Sequence, residues 1–221
     1  MTTVTRNNFL SDQELQAFNE LWNGAGNDAI TMNGAIDRRF VPLRGKTIKS
    51  IIDPATLSDW FGTDVYQITR GFMSDAPEPF QIHTDNNPVN VSGYHVNTCV
   101  SLGEQQDQGI VLFTDHCDQK VIAVDNDTSE DKLEIYRTMG YTPITSENMG
   151  KFMVPSPWMD HSDTVKSMLD HCSHEMYPYF RPDEVIFHRY NKAIRFPNTQ
   201  LHAGMNAIGP FQRLVFIAKI D

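Results

Sequence analysis

Three His-x-Asp triplets stand out in this chain of 221 residues: His83/Asp85 in "FQIHTDNNP", His116/Asp118 in "DHCDQ" and His161/Asp163 in "DHSDT". An imidazole and a carboxylate two residues apart can grip one metal ion. With 8 His and 28 acidic residues, however, chance supplies about one such triplet, so the letters alone choose none. The element carrying each triplet does choose. Residues two apart on a strand point to one face, whereas on a helix they diverge. His161/Asp163 opens a helical pattern, where Asp163 is explained as favourable charge in the first turn. His116/Asp118, crowded by Asp115 and Cys117 between two strand-like runs, reads as a polar hairpin turn. His83/Asp85 instead closes a strand, "FQIH", and is followed by the turn residues Asn86, Asn87 and Pro88.

A second imidazole stands near the C-terminus. In "FPNTQLHAGMNAIGPFQRLVFIAKI", His202 ends a strand, Gly204, Gly209 and Pro210 punctuate a turn, and Arg213 lies early in the last strand. A hairpin brings His202 and Arg213 to the same end of a sheet. Within the last strand Arg213, Val215 and Ile217 share one face, and Leu214, Phe216, Ala218 and Ile220 share the other. The apolar face suits packing beneath N-terminal helices, which leaves the Arg213 face to line a cavity. Two imidazoles and one carboxylate with open coordination positions form the facial triad of non-haem Fe(II) oxygenases, and an arginine offers a planar fork for a carboxylate.

His83-x-Asp85, the glycine before the apolar strand in "QGIVLF", "FPNTQLHAG" and Arg213 together resemble the 2-oxoglutarate/Fe(II)-dependent dioxygenases, from about Val65 to the C-terminus. A weaker similarity to the prolyl-4-hydroxylase-like branch is carried by Asn86, Pro88 and the strand "NTCVSLG". The resemblance implies a mainly β double-stranded β-helix, or jelly roll. In it His83, Asp85 and His202 hold Fe(II), and Arg213 pairs with the distal carboxylate of 2-oxoglutarate. It also implies that Asn97, Cys99 and Ser101 face the cavity, with Ser101 as a co-substrate partner. Val215 stands where many members carry Ser or Thr, so Ser101, Tyr94 and Thr98 are the candidates for a second carboxylate contact. The implied reaction hydroxylates a C–H bond of a peptide side chain, an amino acid or a small metabolite, consuming O2 and releasing succinate and CO2. A non-catalytic, cupin-like metal-binding jelly roll using the same ligands is the rival reading. A separate zinc site from His171, Cys172 and His174 with His161 or Glu175 competes with the polar face of a surface helix.

The elements that must position these residues are legible from period and punctuation. "SDQELQAFNELWNG" has Ser11 as a cap, Glu14 three residues later and Leu15, Phe18, Leu21 and Trp22 at helical spacing. "DPATLSDWFG" opens on Asp53 and Pro54 and ends at Gly62. Strand-like runs follow over 65–72, 80–83, 93–102, 109–114, 120–124, 184–189, 193–196, 200–202 and 212–220, enough for eight jelly-roll strands and one extension. Between Asp125 and Pro182 the strand pattern lapses, and "TSEDKLEIYRTMG" and "DHSDTVKSMLDHCSHEM" read as helical. The first of these carries a capping box from Thr128 to Asp131. The organisation expected is one domain over 1–221, with N-terminal helical support in 1–64 and a core in 65–124 and 183–221. An insertion over 125–182, rich in Met and aromatics, reads as a lid or substrate-recognition element, with packing against the outside of the sheet as the alternative.

A 40% hydrophobic content supports one sizeable core, and a net charge of -10 with pI near 5.2 disfavours duplex nucleic acid as a partner. The three basic residues of "FHRYNKAIRF", Arg189, Lys192 and Arg195, read as a solvated strand edge. Three widely spaced cysteines read as free thiols in a reducing compartment, and there is neither a leader pattern nor a membrane-length apolar run. A cytoplasmic enzyme is the resulting expectation.

Overall fold

The helix that opens at Ser11 forms as its sequence dictates. In α1 (Asp12–Gly24) the Ser11 hydroxyl accepts from Glu14 N–H, and the Glu14 carboxylate accepts from Ser11 N–H at 2.6 Å. The other carboxylate oxygen of Glu14 accepts from Asp53 N–H, 2.6 Å away, at the start of α3 (Pro54–Phe61), so one buried side chain ties two helices together. Between them lie β3 (Arg39–Arg44) and α2 (Gly45–Ile51). Gly45 is required where α2 leaves the sheet, because a Cβ there would meet the Ile68 carbonyl at 2.0 Å. The computed structural model describes residues 3–25, 30–31, 39–75, 81–85, 93–102, 109–154, 161–204 and 211–220.

The remaining elements are β1 (Val4–Arg6), β2 (Ile30–Thr31), β4 (Tyr66–Asp75), β5 (Gly93–Leu102), β6 (Gly109–His116), β7 (Val121–Ala123), α4 (Glu130–Thr138), β8 (Thr142–Ile144), α5 (Asp163–Met168), β9 (Pro182–Phe187), β10 (Ala193–Pro197), β11 (Gln200–Gly204) and β12 (Phe211–Ile220). The large sheet runs β1-β10-β5-β12-β4-β3-β2 and the facing one runs β11-β6-β9. Residues 82–84 extend the facing layer. His83 bridges His202 on one side and Ile122 on the other, which joins the parallel pair β7-β8 to β11. From β4 to β6, counting residues 82–84, and again from β9 to β12, successive strands alternate between the two sheets, with β6 to β9 staying in the facing layer, and the fold is a double-stranded β-helix.

Strand alternation decides what each face of the large sheet buries. Val96, Val100, Leu214, Phe216 and Ala218 pack with Phe18, Ile48, Leu57 and Trp60 of the three helices. The inward face packs Ile194 and Phe196 against Ile110, Leu112 and Ile186 of the facing sheet.

Several local expectations are corrected. The N-terminal segment supplies three strands as well as helices, because β1 and β3 pair with β10 and β4. With β1 covering β10, Arg195 is no solvated edge residue. Its guanidinium lies 5.3 Å from the Trp60 ring and 4.7 Å from Tyr94. The capping box expected at Thr128 does not form; Ser129 is the cap of α4 and its side chain makes no cap hydrogen bond. Helix α5 ends at Met168, so the helical reading of 160–176 runs too far toward the C-terminus. Part of the insertion packs on the facing sheet. Met149, Met168, Leu169, Met176 and Phe180 cluster with Val111, Phe113, Leu201 and Ala203 on the outward face of the facing sheet. No helix among the described residues is long and apolar enough to cross a membrane.

Candidate metal centre

His83 and His202 face each other across two backbone hydrogen bonds, each N–H donating to the other's carbonyl at 2.9 Å. Their rings lie 4.2 Å apart, centroid to centroid. Asp85 enters the same space, its carboxylate 3.9 Å from His83 Nε2 and 3.4 Å from His202 Nε2. Among the described residues, these three form the one group of His, Cys, Asp or Glu whose ligand atoms lie within 4.8 Å of one another. His83 and His202 are 8% and 2% exposed, so the cluster sits inside the molecule with the carboxylate at its rim.

Each imidazole is oriented by the residue two positions before it. His83 Nδ1 lies 2.7 Å from the Gln81 carbonyl and His202 Nδ1 lies 3.0 Å from the Gln200 carbonyl. A carbonyl only accepts, so Nδ1 carries the proton in both rings and Nε2 presents its lone pair to the cluster, the tautomer a metal ligand needs. The carbonyls are themselves fixed. The Gln81 amide donates to His171 O at 2.7 Å and accepts from Ser173 N–H at 2.9 Å. The Gln200 amide donates to Phe113 O at 2.9 Å. Thr84, fully buried between the two ligands of the triplet, donates to Gln119 O at 2.6 Å and accepts from Val121 N–H at 3.1 Å. Two imidazoles of fixed tautomer and one carboxylate suit a divalent metal with open positions, so the donor set fits Fe(II).

Around this cluster the structure adds residues that the sequence did not single out. The Tyr141 hydroxyl, from the insertion, donates to Asp85 Oδ1 at 3.4 Å, and its ring meets His83 edge-on at 5.7 Å. Lys120 lies 3.9 Å above the Tyr141 ring and donates to Met139 O at 2.6 Å. Burial pushes the Lys120 ammonium down to about 8, against the pull of Asp85 and with a further push from Arg70. Arg70 donates to the Asp85 carbonyl at 3.4 Å. No motif marks these residues, because their meeting depends on which strands become neighbours.

On the facing wall Arg213 is half-buried, and its Nε donates to the fully buried Ser74 at 3.2 Å. Arg213 pairs in register with Ser74 and Cys99, and Val215 pairs with Asn97, so all of them share the inward face. Asn97 is fully buried, and neither its amide nitrogen nor its oxygen has a hydrogen-bond partner among the described residues. Tyr94 and Thr98 are not brought to the site. They have the opposite parity to Asn97 on β5, so Thr98 pairs with Leu214 and Ala193 of the helix-side core, and Tyr94 stacks on Arg195. The backbone of Ser101 pairs with Gln212, and its side chain lies outside the described residues.

The other triplets disperse. His116 ends β6 exposed, held by the Thr199 hydroxyl at 3.0 Å, and Ser162 caps α5 with Asp163 in its first turn. His171 touches Cys172 at 3.2 Å, but His161, His171, Cys172, His174 and Glu175 do not assemble a metal cluster.

No protein-family profile matches the chain, and no curated protein matches its sequence. Solved structures do match its fold. One is an oxidoreductase of the 2OG-Fe(II) oxygenase family from Burkholderia pseudomallei, 12% identical, covering 98% of this chain and 84% of that one with a TM-score of 0.52. Another is the epimerase SnoN in complex with Fe3+, alpha ketoglutarate and nogalamycin RO, 9% identical, covering 99% and 78% with a TM-score of 0.56. A third is the non-heme alpha ketoglutarate dependent carbocyclase SnoK from nogalamycin biosynthesis, 9% identical, covering 98% and 80% with a TM-score of 0.51. At these identities the likeness is one of fold.

Proposed function

We propose that this chain is a 2-oxoglutarate- and Fe(II)-dependent oxygenase that hydroxylates a C–H bond of a peptide side chain, an amino acid or a small metabolite. The observation that carries the reading is the triad His83, Asp85 and His202, with both imidazoles locked in the ligating tautomer by the Gln81 and Gln200 carbonyls. A protein of the same fold, SnoN, has been solved with Fe3+ and alpha ketoglutarate, which supports the cofactor assignment.

In this reading His83 and His202 hold Fe(II) through Nε2 and Asp85 through its carboxylate. When bound, iron and 2-oxoglutarate supply the oxidising power drawn from O2, with release of succinate and CO2. Arg213 receives the distal carboxylate of 2-oxoglutarate, and the Ser74 hydroxyl holds its guanidinium toward the inward face. Asn97 offers a buried amide N–H donor, which a co-substrate oxygen would accept. Ser101 is retained as a further co-substrate contact. Ile194, Phe196, Ile110 and Leu112 keep water from the inner wall, and Phe196 meets the His202 ring at 4.8 Å.

The test is O2-dependent conversion of 2-oxoglutarate to succinate by the Fe(II)-loaded protein. Arg213→Gln and Asn97→Leu are each expected to raise the KM for 2-oxoglutarate roughly ten- to hundredfold, the worth of a charge-assisted or buried hydrogen bond, while Fe(II) affinity holds. No succinate from the wild type, or a KM indifferent to Arg213→Gln, defeats the proposal.

A further inference from the structure

The inward face of the large sheet continues past the barrel onto β3 and β4, and there it turns cationic. Arg44 and Arg70 are direct register partners across this antiparallel pair, so their side chains leave the same face side by side. Both are exposed, and like charges set opposite one another oppose strand pairing. Lys120 approaches from the facing layer and is near enough to feel the charge of Arg70. Among the described residues no carboxylate lies within ion-pair distance of any of these three side chains; Arg70 donates to the Asp85 carbonyl, and Lys120 donates to the Met139 carbonyl and lies over the Tyr141 ring. Such a cluster is out of keeping with a chain of net charge -10, in which acidic partners outnumber basic residues 28 to 18.

Its position separates it from Arg213. Phe196, which touches the His202 ring, lies in the same cross-strand row as Ile217 and Arg70, through His95 of β5. Arg70 is therefore level with the triad, at the end where Asp85 leaves it. Arg213 pairs with Ser74, four residues along β4 from Arg70, or about 13 Å at strand rise. One 2-oxoglutarate held by Arg213 is too short to reach Arg70 as well. Phe72 lies between Arg70 and Ser74 on this face, half-buried, and stacks on Phe40 at 4.4 Å. An apolar platform thus adjoins the cationic pair.

Building on the oxygenase reading, we propose that Arg44 and Arg70, with Lys120 beside them, form an oxyanion site for the substrate, so that the molecule oxidised carries a carboxylate or phosphate group next to an apolar body lying on Phe72. Paired guanidiniums offer forked donors that match either group, and the Asp85 end of the triad is the side they flank.

The site is tested on the full chain without metal, by calorimetric titration with inorganic phosphate and, in parallel, with acetate; the tighter probe identifies the oxyanion. Saturable binding is expected, weakened about ten- to hundredfold by Arg70→Gln and likewise by Arg44→Gln, and it persists in Arg213→Gln, which removes only acetate held at the co-substrate position. Arg44 touches none of the triad, so its variant reads the anion site even if Arg70→Gln disturbs Asp85. Binding that survives both substitutions, or that is lost only with Arg213→Gln, overturns the assignment. Failure of the oxygenase reading is separable: the wild type would then form no Fe(II)/2-oxoglutarate chelate absorption while phosphate binding kept its dependence on Arg44 and Arg70.

Discussion

Thr84→Val keeps the shape of a fully buried side chain and removes only its hydroxyl, which makes it the cleanest perturbation of the frame around the triad. The hydroxyl serves two groups of the neighbouring strand, donating to Gln119 O and accepting from Val121 N–H. Val121 is fully buried, so its N–H is left without a partner at a cost of about 1–3 kcal/mol. Gln119 is exposed and its carbonyl can recover a water, which adds roughly 0.5–1 kcal/mol. The sum is a loss of about 1.5–4 kcal/mol, or a fall in Tm of roughly 3–16 °C for a chain of this size. Because Thr84 sits between His83 and Asp85, the weakened seam to β7 also loosens the carboxylate, and Fe(II) affinity should fall about tenfold or more. Thermal and urea unfolding of the metal-free protein measure the first effect, and Fe(II) competition with a chelator measures the second. Thr84→Ser retains the hydroxyl at the cost of one buried methyl, roughly 1 kcal/mol, and should restore Fe(II) affinity and much of the stability. A Thr84→Val loss below about 0.5 kcal/mol would show that the seam is not held as described.

Two further outcomes follow from the residues around Asp85. Tyr141→Phe removes the long hydrogen bond to Asp85 Oδ1 and keeps the ring against His83, so chelator competition should show Fe(II) binding weakened about two- to tenfold while the unfolding free energy changes by less than about 1 kcal/mol. Lys120 has a folded-state pKa of about 8 against an ordinary 10.5, so the unfolded chain binds more protons between those values and stability rises with pH across them. Metal-free wild type should therefore gain about 1–3 kcal/mol relative to Lys120→Met between pH 8 and 10.5, and parallel pH curves would refute the burial of that charge.

Much of the frame was legible because period and punctuation are local. The capping box at Ser11, the Asp53 cap with Pro54 behind it, and β5 over Gly93–Leu102 are written in consecutive residues. The outward apolar face of β12 was equally plain, since Leu214, Phe216 and Ala218 alternate with Arg213, Val215 and Ile217. What stayed hidden depends on which strands meet. Arg195 looks solvated until β1 covers its strand, and Arg70 carries no motif until β3 sets Arg44 opposite it. Strand parity separates Thr98 and Tyr94 from Asn97, but the side that faces the metal is known only once Leu214 is seen to pack on the helices. Gln81 and Gln200 precede His83 and His202 by two residues each; the repeat is visible in sequence, yet the carbonyls that matter are backbone atoms common to every residue type.

The central claim is most directly tested by anaerobic titration of the protein with Fe(II) and 2-oxoglutarate while the visible absorption of the chelate is followed. The account predicts a charge-transfer band that saturates at one equivalent of iron per chain, disappears in His83→Ala and His202→Ala, and persists in His116→Ala. A wild type without the band, or a band lost with His116→Ala and kept with His83→Ala, would contradict it.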